Sequence, residues 1–160
     1  MVVDLVAQLR ELAQQLPRDG CDWETTPSFA PPSTFDAVDE LERAAGFRLP
    51  DDLRAFFAIT DAVVGMSVHN GYQFGPMERL VHHVDSGELP RQTPDGVGIT
   101  VAFDGGGNAF LLSANGRVWR WDHETGNMSA VAVSFTAFLE RVVADWTAYV
   151  YDTPGWKFLV

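Results

Sequence analysis

The sequence predicts an α+β fold, with a mainly antiparallel sheet of about four to six strands and helices packed on one face. Three observations carry this expectation. Apolar residues recur at helical spacing in the first half of the chain and again near its end. From Val97 the spacing changes to two. The period-two stretches are joined by short glycine- and asparagine-bearing turns, which suit antiparallel neighbours and not parallel crossovers. With 160 residues, the chain is expected to divide into an N-terminal helix with a Pro-rich loop, residues 1–34, and an α+β domain, residues 35–160. A chain of this size buries about 70% of its unfolded surface and needs no metal or disulfide to fold.

Val6, Leu9, Ala13 and Leu16, widened by Leu5 and Leu12, predict a first helix over 3–16 that Pro17 stops. Residues 18–33 hold Pro27, Pro31 and Pro32 without apolar periodicity and are expected to form a loop. Phe35, Val38, Leu41 and Ala45 make the buried stripe of a second helix, with Ser33 or Thr34 as N-cap, Asp36 in the first turn and Gly46 as a left-handed C-cap. Pro50, Asp51 and Asp52 open a third, which buries Leu53, Phe56 and Phe57 and ends before Gly65. Tyr72–Phe74 and Met77–Val81 are expected as strands at one edge of the sheet.

Ile99, Val101 and Phe103 alternate with Thr100, Ala102 and Asp104, and the first set is expected to face the helices. The run Asp104-Gly105-Gly106-Gly107-Asn108 turns the chain into a strand over 109–113. Ala114-Asn115-Gly116 signals a hairpin into 117–122, and a turn over 123–127 leads to a strand over 130–133. Ser134 caps the last helix, whose stripe is Phe135, Phe138, Leu139, Val142, Val143, Trp146 and Val150, and Thr153-Pro154-Gly155 breaks it.

Composition narrows the function. There are 22 acidic residues against 11 Lys and Arg, a formal net charge of −11 and a pI of about 4.5. That balance argues against nucleic acid and anionic membrane as ligands, and makes a cationic protein surface the natural complement. Five Trp and eleven Phe in a chain that is 46% hydrophobic exclude intrinsic disorder. No basic n-region and no apolar run of about 18 residues is visible, so a cytoplasmic protein is expected. Cys21, beside Asp22, is the single cysteine, which excludes an intramolecular disulfide and a Cys-based zinc site.

Chemistry-bearing patterns are sparse. The loop from Asp104 to Asn108 joins two strands and lacks Lys and Ser/Thr, so it is a turn and not a phosphate cradle. His82-His83-x-Asp85, with His69 and His123, offers metal-ligand types, but adjacent histidines on a strand point to opposite faces. No metal site and no cofactor are predicted. A Gly-x-Ser-x-Gly elbow is missing, Ser86 and Ser113 have no partnered histidine, and the Asp51/Asp52 and Asp39/Glu40/Glu42 carboxylates sit where helix charge rules place them. An enzyme is therefore not expected, and a hydrolase using His82 or His83 would be the enzymatic alternative. Trp119 and Trp121 share a strand face that could stack bases or sugars; the wide aromatic stripes of the helices favour a core position, with Val118, Arg120 and Asp122 outward. The outer sheet face and the strand ends then supply the candidate partner-binding residues Thr100, Asp104, Leu111, Val118, Arg120, Asp122 and Glu124. Solubility accounts for the acidic ones equally well.

The order of these signals resembles a known grouping. Leu41-Glu42-x-x-x-Gly46-Phe47-x-Leu49-Pro50 followed by Asp52-Leu53-Arg54-Ala55-Phe56-Phe57 resembles the N-terminal signature of the SUKH superfamily, which includes the Smi/Knr cell-wall-assembly regulators of yeast and many bacterial proteins. The run from Ile99 to Leu112 looks like that superfamily's central hairpin, and Gly116-Arg117-Val118-Trp119 and Ala132-Val133-Ser134-Phe135-x-x-Phe138-Leu139 also fit. Where the superfamily commonly shows Asn-Gly after the second helix, this chain has Thr60-Asp61-Ala62, and Asn70-Gly71 comes later. The resemblance spans roughly Phe35 to Val143. It implies an α+β domain with a binding role and brings no catalytic residues. It further implies, from the bacterial relatives, an immunity protein that neutralises a cognate toxin, many such toxins being nucleases; a housekeeping interaction module of the Smi/Knr type is the alternative.

Overall fold

The computed structural model describes residues 1–22, 24–65 and 71–159. Among these residues five helices pack with an antiparallel sheet of eight strands, an α+β fold with more strands than expected. The surplus is β1 (Ser28–Phe29), β2 (Val63–Val64) and β4 (Gln92–Thr93), each of 2 residues and so too short to show a period in sequence.

α1 (Val2–Ala13) lays Leu5, Val6, Leu9, Leu12 and Ala13 into the same apolar core as the rest of the chain and packs on α5 (Phe135–Val150). The loop after α1 is tied down by buried Glu24, which accepts from the Arg18 amide at 2.5 Å and from the Tyr149 hydroxyl of α5. Burial and then Glu24 push the Tyr149 hydroxyl up to about 12. α2 (Phe35–Ala45) starts at Thr34, whose hydroxyl accepts from the Ala37 amide, and stops at Gly46, which takes the left-handed conformation (φ 82°) that other residues avoid. Ser134 caps α5 in the same way, accepting from the Ala137 amide. α3 (Asp51–Phe57) is joined to the first turn of α5 by Asp52, which accepts from the Thr136 amide at 2.8 Å and its hydroxyl at 3.1 Å.

The remaining strands are β3 (Tyr72–Phe74), β5 (Gly96–Asp104), β6 (Ala109–Ser113), β7 (Val118–Trp121) and β8 (Met128–Ala132). Their order is β1-β2-β3-β5-β6-β7-β8, with β4 paired to the start of β5. Asp145, fully buried in α5, accepts from the Tyr72 hydroxyl (2.6 Å), the Trp156 indole (2.8 Å) and the Leu159 amide (3.0 Å). One carboxylate thus fastens β3, α5 and the C-terminal tail together. Burial, and then the bond to Asp145, holds the Tyr72 hydroxyl well above its ordinary pKa.

Four expectations are corrected. Residues 77–81 lie in a helix, α4 (Met77–Ser86), because Met77, Leu80 and Val84 fall at helical spacing against the core; His82 and His83 are therefore helical neighbours. A β-bulge between Thr100 and Ala102 breaks the alternation, so Ala102 joins Ile99 and Val101 in the core while Phe103 goes to the opposite face with Ala109 and Leu111. Trp119 and Trp121 stand opposite Leu111 and Ala109 on that same outer face, whereas Val118 stands opposite Leu112 in the core. Phe35 is 85% exposed and outside the stripe of α2; at 3.6 residues per turn it is turned about 120° from Leu41, too far to share its contacts.

Candidate partner-docking site

The seven residues expected on the outer sheet face are dispersed. Thr100 and Leu111 lie on that face but are buried, beneath the region of Leu89, Trp121 and Met128 that packs over Phe103 and Leu111. Val118 belongs to the main core. Arg120 stands opposite the core residue Phe110, hence on the helix-facing side, and reaches Asp104 at 3.3 Å. Asp104 is buried and fully engaged: one oxygen accepts from the amides of Gly106 and Asn108, both at 2.9 Å, and the other from the Asn108 side chain at 2.8 Å. The glycine-bearing loop is accordingly a turn wound around a carboxylate. Asp122 accepts from the amides of Glu124 (2.9 Å) and Thr125 (3.0 Å), and these bonds, the Thr125 amide foremost, hold its carboxyl below the usual range. Of the seven, Glu124 presents an exposed and uncommitted side chain at the β7–β8 turn.

A different place combines apolar surface with exposed charge. Between α2 and α3, Pro32, Phe35, Val38, Ala55 and Ala58 line a groove of about 530 Å³ together with the polar residues Ser33, Asp51 and Arg54. Two tight contacts shape it. Asp61 accepts from the Ser33 hydroxyl at 2.5 Å and from the Met77 amide at 3.3 Å, holding the chain that enters α2 against the start of α4. Arg54 donates to Glu42 at 2.5 Å, and the same carboxylate accepts from the Leu49 amide at 2.9 Å. Burial alone would raise the Glu42 carboxyl, but the Arg54 and Leu49 bonds outweigh it and hold the carboxyl below its ordinary pKa. Arg54 is held above its own value by its bond to Glu42 and by the nearby charges of Asp39 and Asp51. Asp36, Asp39, Glu40 and Asp51 are all exposed around this end of the molecule.

The groove therefore has an apolar lining with exposed Asp51 in its wall, and with Arg54 already paired to Glu42. A Lys or Arg side chain fits both parts, since its methylene stem covers apolar surface while its head stays charged. Sequence reasoning missed this site because Phe35 was counted with the buried stripe; its angular displacement from Leu41 was the available signal.

Among the described residues no group of three His, Cys, Asp or Glu side chains gathers in metal-ligand geometry. His83 accepts from the Arg79 guanidinium at 3.3 Å and lies against the Phe103 ring at 5.3 Å; burial and then Arg79 lower its pKa. His69 and Asn70, which figured in the metal and turn expectations, lie outside the described residues, as does Trp23 beside Cys21 and Asp22. Among the described residues no helix is long and apolar enough to cross a membrane.

Comparison with known families gives one match: the model of the SMI1 / KNR4 family (SUKH-1) covers residues 32–141. That span takes in both walls of the groove and the sheet from β2 to β8. No individually curated protein matches the chain.

Proposed function

We propose, from the premise that this chain belongs to the SMI1 / KNR4 (SUKH-1) family, that it is a non-enzymatic immunity protein that binds and neutralises a cognate toxin, possible nucleases included. The observation that carries the reading is the apolar groove between α2 and α3, lined by exposed Phe35 and Asp51, with Asp36 and Asp39 also exposed on α2. It suits a basic protein surface, and a net charge of −11 adds long-range attraction that speeds encounter at low salt and fades as the screening length shrinks. A purely binding role is also supported by the state of the buried carboxylates, since Glu24, Asp104 and Asp145 are each occupied by donors within the fold.

Co-expression with the product of the adjacent reading frame tests the reading: a stoichiometric complex and rescued growth are expected, and no complex with no protection overturns it. Phe35→Ala should weaken that complex by about tenfold or more, with the stability of the free chain unchanged to within about 0.5 kcal/mol, as for exposed residues generally. The family match equally supports a second reading, a Smi/Knr-type module that tethers cellular partners. Abundant non-toxin partners captured from unstressed native cells would favour it.

A further inference from the structure

Among the described residues that line the α2–α3 groove, Arg54 is the one cation and Asp51 the one carboxylate. A free guanidinium in that wall would repel a basic partner and attract an acidic one. Its charge is answered from outside the lining. Glu42, near the end of α2, accepts from the Arg54 side chain at 2.5 Å.

The same Glu42 oxygen accepts from the Leu49 backbone amide at 2.9 Å. That second bond decides what the pair can do. The amide belongs to the short connection between α2 and α3, so the carboxylate is tied to backbone and Arg54 is held back with it. The Glu42 side chain is 19% exposed and that of Arg54 32%, so water competes with this pair less than with an open surface pair. Arg48 reaches Asp51 at 3.2 Å, but there both side chains stand in solvent, and such a pair gives way easily. With Arg54 answered, Asp51 is the charge that the groove offers a partner. With Glu42 neutral, Arg54 would face the groove or turn to Asp51, whose charge already acts on it. Either outcome takes away the preference for a cation.

We propose that Glu42 determines the specificity of this groove: by holding the Arg54 guanidinium back, it lets the groove take a cationic protein segment and turn away an acidic one. This rests on the docking role proposed for the groove above and adds which residue sets the sign of the partner's charge. Glu42 acts through Arg54, not by lining the groove itself.

Two probes test it on the full chain: an amphipathic helical peptide of leucine and lysine, about 18 residues long, and its counterpart with glutamate for lysine. Each is titrated by fluorescence anisotropy at about 150 mM salt, where the long-range field is screened. The wild type should prefer the lysine peptide, and Phe35→Ala should weaken its binding. Glu42→Gln keeps an acceptor for the Leu49 amide and should cut the lysine-over-glutamate preference at least about fivefold. Adding Arg54→Met, which removes the guanidinium and keeps an apolar stem, should restore the preference. Glu140→Gln, which removes one exposed charge from α5, should change it by less than about twofold, because a distant charge is screened.

A wild type without the lysine preference, or one whose binding Phe35→Ala leaves untouched, overturns the docking role and this proposal with it. Binding that is weakened by Phe35→Ala but keeps its preference in Glu42→Gln overturns this proposal alone. So does a preference lost in Glu42→Gln and not restored by Arg54→Met, which would make Glu42 a structural brace. Far-UV circular dichroism reports whether Glu42→Gln folds. If it does not, Arg54→Met alone decides: it frees the Glu42 carboxylate and should raise the lysine preference, and no rise overturns the proposal.

Discussion

The two edges of the sheet are built on opposite lines. At one, β1 contributes 2 residues, Ser28 and Phe29, between Pro27 and the Pro31-Pro32 pair, and it sits under a loop that Glu24 fastens to α5. At the other, β8 contributes 5 residues without a proline, a glycine or a charge, and nothing among the described residues pairs beyond it. The first edge is closed by chain stiffness, since proline has no amide hydrogen to offer a further strand. The second retains its free backbone groups. The difference teaches that this sheet is finished by prolines on the side where the N-terminal segment joins it and by a bulged strand on the side of the family-matched hairpins.

The comparison can be broken from the closed side first. Asp145→Ala removes the acceptor of three donors that join β3, α5 and the C-terminal tail, and should cost about 3–5 kcal/mol by urea unfolding. A loss under about 1 kcal/mol would mean that this half of the molecule is not held as described. Gly65→Ala comes next. A Cβ there would lie 2.7 Å from the Pro27 Cα, backbone that cannot yield without moving β1, so a cost of about 1–3 kcal/mol is expected from the overpacking.

The outer face between the edges gives a smaller, pH-dependent effect. His83 is faced by Arg79 and His82 of α4, by Glu88 beyond it and by the Phe103 ring of β5, and its folded pKa is lowered by burial and then by Arg79. The unfolded state then takes up the proton first. The stability due to neutral His83 is therefore complete above the ordinary value near 6.5 and is lost as pH falls through the lower folded value. Wild type should lose more stability than His83→Gln between about pH 7.5 and pH 5; parallel losses would remove His83 from the account. The smallest effect belongs to the open edge: Ala130→Lys should change the unfolding free energy of the monomer by no more than about 0.5 kcal/mol. A larger loss would show that β8 is not an open edge.

Local signals were legible where a residue type answers a local backbone need. Thr34 and Ser134 cap helices, Gly46 takes the left-handed stop, and Asn115-Gly116 turns a hairpin, because each requirement is set within four residues. The stripe of α5 was legible because Phe135, Phe138, Leu139, Val142 and Trp146 repeat over several turns and are all buried. The candidate docking site was largely illegible. The bulge that sends Phe103 outward and Ala102 into the core has no mark in a run of small and apolar residues. The tryptophans of β7 went to the wrong face on the general ground that aromatics seek the core, although a second apolar cluster on the outer face houses Trp121 with Phe103 and Leu111.

By itself the sequence determined the helices with their caps, the central antiparallel hairpins, the acidic balance and the family resemblance, all of which depend on spacing and composition along the chain. Tertiary structure decided which carboxylates are buried and which stay at the surface. Asp104 and Asp145 look no different in sequence from Asp39 and Asp51, yet the first pair is buried among donors brought from β3, β7 and the chain's end, and the second pair faces solvent. It likewise decided that Phe35 stands exposed and that β8 has no neighbour. The physical reason is common to all three: burial is a property of what the rest of the chain brings alongside, and a residue's own neighbours in sequence do not set it.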